Sequence, residues 1–191
     1  MSDSNDIAAL HRRALDRTGV VVAGVRPDQL DGPTPDQEWD VRALLNHLVA
    51  GNLWAAELAA GKTIDEVGDR LDGDVLGDDP LAAYDRSASA ARAAFEAPGA
   101  LDAACAVSYG PVPGSVYAGH RFIDVFIHGW DLARATGQDP SLDPELVAAC
   151  TEVLEPQLAM LQGSGLFGTP VEVPARADAQ TRLLASLGRH P

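Results

Sequence analysis

Apolar residues recur at intervals of three and four along most of this chain, which is the spacing of one face of an α-helix. Proline, glycine and aspartate interrupt the pattern between these segments. The predicted helices span 3–25, 40–60, 79–97, 115–136, 143–162 and 178–187. No long segment alternates apolar and polar residues as a half-buried strand would. Helices joined by loops of variable length favour an all-α bundle.

Residues that begin and end helices support these boundaries. Asp40 is a good N-cap for the second helix, and Asp79-Pro80 places a capping carboxylate before a proline in the first turn of the third. Gly137 closes the fourth helix, and Pro156 should kink the fifth. Segment 62–78 is predicted to be a loop with a short turn around 65–71. Segment 100–113 is predicted to be irregular or extended.

Composition limits the classes of protein that this chain can represent. With 191 residues and 46% hydrophobic content, residues 1–191 are expected to form a single domain with a real core. The formal net charge of −14 excludes a nonspecific nucleic-acid binder and disfavours an anionic membrane surface. The polar N-terminus does not resemble a secretory signal, and no apolar run approaches the roughly 20 residues of a membrane helix. We therefore expect a cytoplasmic protein.

The two cysteines do not indicate a redox or zinc motif. Cys105 and Cys150 lie far apart and form no CxxC pair. Each is expected to be a small apolar core residue or a free thiol.

The fourth predicted helix carries the candidate chemistry. His120, Asp124 and His128 are spaced four apart, so they form one ridge on the helix surface. Apolar residues occupy most of the remaining circumference: Phe122, Ile123, Val125, Phe126, Ile127, Trp130 and Leu132. A helix this apolar should not carry such a ridge unless something satisfies its polar groups, and a bound metal ion would do so. The alternative is a solvated helix face without a metal.

A further candidate ligand lies on the second helix. His47 sits at the edge of an apolar face, where a helix can present a side chain to a buried ligand. A lone histidine there is more often a hydrogen-bonded core or rim residue. His11 is expected in a surface-like position and His190 in a frayed tail, and neither is assigned a role.

Other residues near the ridge have two interpretations each. Trp54, Trp130 and Tyr117 would line a pocket or simply pack in the core. Arg121 and Arg134 would meet a substrate carboxylate, or would form surface salt bridges and contacts with a helix C-terminus.

Two segments resemble a known family. Trp39-Asp-Val-Arg-Ala-Leu-Leu-Asn-His47 is similar to the start of the second helix in the DinB-like proteins. These are grouped with the N-terminal domain of mycothiol-dependent maleylpyruvate isomerase. Gly110-Pro-Val-Pro-Gly114, followed by Asp124-Val-Phe-Ile-His-Gly-Trp-Asp-Leu-Ala-Arg-Ala-Thr-Gly137, resembles an actinobacterial metal-binding branch of that superfamily. The C-terminal residues from Phe167 onward fit the same branch.

The resemblance implies a fold and a set of ligands. It implies a DinB-like four-helix bundle with additional short C-terminal helices. By motif, the family's metal ligands fall on His47, Asp124 and His128, although relatives often carry a longer Glu or a His at the middle position. His120 lies outside the usual three ligands and would be a replacement ligand, a supporting group or a surface residue.

Function follows as an expectation from the same resemblance. Two imidazoles and a carboxylate suit Zn, Ni or Fe as a divalent ion. The expected activity is that of a small transferase or isomerase acting with a mycothiol-like thiol on an electrophilic substrate. The alternatives are a non-catalytic metal-binding protein of the stress response and a metal-free helical interaction module. Family habit favours a homodimer.

Overall fold

Four long helices build the bundle, and further short elements surround it. The computed structural model describes residues 6–36, 39–158 and 168–191. The helices in these ranges are α1 (Ile7–Ala23), α2 (Val41–Ala59), α3 (Ile64–Val67), α4 (Pro80–Glu96), α5 (Gly114–Thr136), α6 (Pro144–Leu154) and α7 (Ala179–Ser186), with 3₁₀ turns at Pro27–Gln29 and Glu155–Gln157. In the described part of the chain, no helix is both long enough and apolar enough to cross a membrane.

Aspartate side chains cap most of these helices as the sequence predicts. The Asp40 carboxylate accepts the Ala43 N–H at 2.8 Å, and the Asp79 carboxylate accepts the Ala82 N–H at 3.0 Å. Gly137 ends α5 in the left-handed conformation with φ 69°, which favours glycine because it has no Cβ. Apart from the end of the fifth predicted helix, the observed helix ends lie within about four residues of the predicted ones.

The bundle is arranged as a ring of four helices. α1 packs against α4 and α5, and α2 packs against the same two helices from the opposite side. The principal core lies between them, and α5 is buried along most of its length. α6 packs against α1, α5 and α7, so the C-terminal helices cover the outside of α5. The predicted all-α bundle is confirmed.

A short β-hairpin differs from the prediction. β1 (Ala104–Val107) pairs antiparallel with β2 (Gly110–Pro113), and Cys105 faces Val112 across the ladder. Strands of four residues are too short to show a clear alternation, which is why the sequence indicated only irregular or extended chain. The carbonyls of Leu101 and Ala103 accept the first N–H groups of α5 at 2.8 Å, so this segment caps the site-bearing helix.

The fifth predicted helix is interrupted where a kink was predicted. α6 ends at Leu154, Pro156 lies in the following 3₁₀ turn, and Leu158 is helical again. Proline removes a backbone donor and clashes with the preceding turn, which breaks the regular α-helix at this point. The predicted continuation over 159–162 and the first residues of the first predicted helix, 3–5, lie outside the described residues.

Both cysteines are buried and free, as expected of small core residues. Burial raises the pKa of the Cys150 thiol to about 12. Cys105, on β1 of the hairpin, lies in a second apolar cluster with Phe95 and Tyr117.

Candidate metal centre

Three potential ligand atoms from α2 and α5 meet between the helices. Each of His47, Asp124 and His128 contributes one potential ligand atom, and these three atoms lie within 4.8 Å of one another. His47 Nε2 is 3.1 Å from Asp124 Oδ1, and His128 Nε2 is 3.7 Å from the same oxygen. Ligand atoms about 2.1 Å from one tetrahedral zinc ion would lie about 3.4 Å apart. The donor types and their spacing therefore fit a divalent ion.

A buried arginine forms an ion pair with the other oxygen of Asp124. Arg121 Nη1 lies 3.0 Å from Asp124 Oδ2, one turn back on α5, and the arginine is only 8% exposed. Burial acts to raise the pKa of Asp124, but the positive charge of Arg121 and the two neighbouring histidines outweigh it. The pKa of Asp124 is therefore held well below its usual range, and this carboxylate stays ionised.

Gly51 on α2 makes room for this guanidinium. A Cβ at Gly51 would lie 2.4 Å from both terminal nitrogens of Arg121. No hydrogen-bond partner for Arg121 Nε or Nη2 occurs among the described residues. The pair with Asp124 is thus the main compensation for a buried charge.

Asp131 orients the His128 ring through the ring nitrogen that faces away from Asp124. His128 Nδ1 lies 2.9 Å from Asp131 Oδ2, and Asp131 is fully buried. Burial acts to raise the pKa of Asp131, but its hydrogen bonds with His128 and Arg189 outweigh this and lower the pKa. An ionised carboxylate only accepts hydrogen bonds, so the proton lies on Nδ1 of His128. In the neutral ring this leaves the Nε2 lone pair facing Asp124 and His47.

Trp39 packs on both histidines. Its ring centroid is 4.5 Å from that of His47 and 5.4 Å from that of His128. Trp39 directly precedes the N-cap of α2, so the start of this helix also positions an apolar wall beside the donors. His47 and Asp124 keep 32% and 22% side-chain exposure, so the group stays open to solvent on one side.

His120 does not join this group of donors. Its Nδ1 lies 2.5 Å from the hydroxyl of Tyr109, next to the hairpin. The predicted ridge thus divides, because two of its members meet α2 while His120 contacts the hairpin.

The expectation for His11 is wrong. His11 is fully buried and packs edge to face against Phe95. α1 is covered by both α4 and α5, and His11 has no exposure to solvent. Burial, with a smaller effect of Arg121, lowers the pKa of His11 to about 3. His190 is exposed, as expected of the tail.

The remaining predicted residues take ordinary packing roles. Trp130 and Tyr117 belong to the two apolar clusters, and Trp54 packs against the second. The exposed Arg134 lies over the Trp130 ring at 5.6 Å.

Comparison with known proteins identifies the family. The family model of the mycothiol maleylpyruvate isomerase N-terminal domain matches residues 11–133, from within α1 to near the end of α5. This chain belongs to that family. Uncharacterized proteins from two strains of Mycobacterium tuberculosis are each 40% identical to it over 184 residues, covering 94% of this chain and 95% of theirs.

Solved structures place this family member in the DinB-like fold. The crystal structure of the mycothiol-dependent maleylpyruvate isomerase matches with a TM-score of 0.59 and 14% identity, over 76% of this chain and 67% of that one. A histidine-to-alanine mutant of that enzyme matches with a TM-score of 0.60 and 15% identity, over 82% and 68%. At this identity the likeness concerns the fold alone. The predicted family and its fold are confirmed.

Sequence reasoning assigned no role to two residues beside the donors of this family member. Trp39 appeared only as part of a motif, and Arg189 lies in a tail that was expected to be frayed. Only the contact between Asp131 and His128 had a local signal in the sequence, because residues three apart on a helix lie close together. Arg189 contacts Asp131 across 58 residues of sequence, and no local pattern indicates such a contact.

Proposed function

We propose that this protein binds one divalent metal ion through His47, Asp124 and His128 and uses it for thiol-dependent transferase or isomerase chemistry. The observation that supports this most directly is the convergence of three donor atoms within 4.8 Å from two helices. Zn, Ni and Fe are the ions that two imidazoles and one carboxylate suit.

The hydrogen bonds of the three candidate ligands are compatible with the binding of a metal ion. The 3.1 Å contact between His47 Nε2 and the ionised Asp124 requires a proton on that nitrogen, because a carboxylate only accepts. A cation would take the place of this proton, with the His47 ring kept against Trp39. Arg121 would keep Asp124 Oδ2 occupied, so that Oδ1 serves as the ligand.

Three protein ligands leave coordination positions open, as in catalytic sites. A bound divalent ion would lower the pKa of a thiol there and make it a nucleophile at neutral pH. The chain's own residues would bind the ion, exclude water on the Trp39 side and leave the opposite side open to a thiol and an electrophile. The mycothiol dependence of the structurally similar isomerase supports a low-molecular-weight thiol of that kind.

Thiol binding to metal-loaded protein tests the catalytic proposal. Isothermal titration of mycothiol into zinc-loaded protein should give one-site binding, whereas metal-free protein should show little or none. His47→Ala should remove the zinc-dependent binding with the helical circular-dichroism signal retained. His190→Ala is the matched control, because His190 is exposed in the tail. Zinc uptake without any thiol binding would refute the transferase or isomerase proposal and favour a non-catalytic metal-binding protein.

A further inference from the structure

Arg189 is a buried arginine that follows the last described helix. It lies beyond α7 and two residues before the terminus, yet only 6% of it is exposed. Arginine is rarely so buried unless it is paired. Among the described residues, its guanidinium meets one carboxylate closely, because Nε lies 3.1 Å from Asp131 Oδ1 and Nη2 lies 2.7 Å from Asp131 Oδ2. Such two-point contacts fix geometry as well as charge.

Asp131 connects this arginine to the candidate metal centre. Its Oδ2 lies 2.9 Å from His128 Nδ1 as well as 2.7 Å from Arg189 Nη2. Arg189 Nη1 also donates to the Leu187 carbonyl at 3.0 Å, which ties the guanidinium to the end of α7. A continuous series of hydrogen bonds therefore runs from the C-terminal segment to a ring whose other nitrogen faces Asp124.

Stability alone does not account for this arrangement. Replacing a buried ion pair by apolar side chains of similar volume is often neutral or stabilising. A carboxylate that receives the free N–H of a ligating histidine fixes its tautomer and ring orientation. The Asp131 carboxylate is itself held in place by a contact from a segment 58 residues away.

We propose that Arg189 is a positioning residue of the metal centre, which holds Asp131 so that His128 keeps its proton on Nδ1 and presents Nε2 to the ion. The segment after α7 is then part of the metal centre and not a dispensable tail. This inference rests on the proposed metal-binding function, and its consequence for the tautomer of His128 is measurable without any metal.

The test compares Arg189→Gln and Arg189→Lys with Arg182→Gln. Arg182 lies on α7 but is exposed, so its variant controls for the loss of a positive charge near the C-terminus. Zinc affinity is measured by competition with a chromophoric chelator, and the site geometry by the visible absorption spectrum of cobalt-loaded protein. Arg189→Gln should bind zinc about 10- to 100-fold more weakly and change the cobalt spectrum. Arg189→Lys, which keeps the charge but not the two-point geometry, should lie between it and the wild type.

A second measurement uses metal-free protein. Long-range ¹H–¹⁵N spectra at neutral pH should show His128 of the wild type protonated on Nδ1, and Arg189→Gln should shift the ring toward a mixture of tautomers. If Arg189→Gln keeps the wild-type zinc affinity, cobalt spectrum and tautomer, the positioning role is overturned while metal binding stands. If the wild type takes up no metal, both the proposed metal-binding function and the positioning role are overturned. If Arg189→Gln does not fold, Arg189→Lys decides, and wild-type affinity in that folded variant with an unchanged cobalt spectrum would overturn the proposal.

Discussion

Substituting Gly51 by alanine tests whether Arg121 has any freedom beside Asp124. A Cβ on Gly51 would lie 2.4 Å from both terminal nitrogens of Arg121 and 2.6 Å from its Cζ. These separations are too short for non-bonded contact, so the guanidinium must leave its position. Because it is 8% exposed and paired with Asp124 at 3.0 Å, the displacement strains or breaks a buried ion pair.

The magnitude follows from two opposing effects. Alanine is favoured over glycine within a helix by about 1 kcal/mol. Breaking a buried ion pair costs about 3–5 kcal/mol. Gly51→Ala should therefore lower the free energy of unfolding by roughly 2–4 kcal/mol, which corresponds to a fall of at least about 4 °C in Tm for a chain of this length.

Urea unfolding in a double-mutant cycle is the assay. In an Arg121→Ala background the obstacle is gone, so Gly51→Ala should become neutral or stabilising by up to about 1 kcal/mol. The sign of the effect thus depends on Arg121. A Gly51→Ala variant that is more stable than the wild type would refute the reasoning, since it would show that the guanidinium moves aside at no cost.

Two further predictions concern buried titratable groups. The pKa of His11 is about 3 in the folded state because of burial, and about 6.5 when unfolded, so only the unfolded state binds this proton between those values. Stability should fall as pH drops from 6.5 toward 3, by up to about 1.4 kcal/mol per unit, and urea unfolding should show a weaker fall in His11→Leu but not in His190→Leu. An equal slope in His11→Leu would contradict this. Cys105 and Cys150 should react with a thiol reagent only after unfolding, since burial raises both pKa values, and rapid labelling of the native protein would be inconsistent with that burial.

Local signals in the sequence predicted most of the fold. Aspartate caps and Gly137 mark helix ends through hydrogen bonds that span only a few residues, so they are readable from the sequence. The hairpin could not be predicted with the same certainty, because its pairing of Cys105 with Val112 leaves no periodic pattern in four-residue strands. His11 was misjudged because helix periodicity cannot tell that two neighbouring helices cover both sides of α1.

In the candidate metal centre too, some contacts could be predicted from the sequence and others could not. Asp124 and His128 are four residues apart on one helix, so their proximity follows from helix geometry. His47 is 77 residues from Asp124. Its place at the edge of an apolar face made it a candidate ligand, but only the family resemblance joined it to Asp124 and His128. Arg121 was expected to meet a substrate carboxylate or to form a surface salt bridge, whereas it is buried, because Gly51 on α2 has no side chain in its way. Such contacts depend on how the helices pack, which the spacing of residues along one helix does not determine.

Metal content measured by elemental mass spectrometry on untagged protein tests the central claim most directly. We expect about one divalent ion per chain after incubation with Zn²⁺ or Ni²⁺. Both His47→Ala and His128→Ala should lose it with the helical signal unchanged, and His190→Ala should keep it. A wild-type protein that takes up no metal under these conditions would contradict the proposal and leave Asp124 as the partner of Arg121 and His47 only.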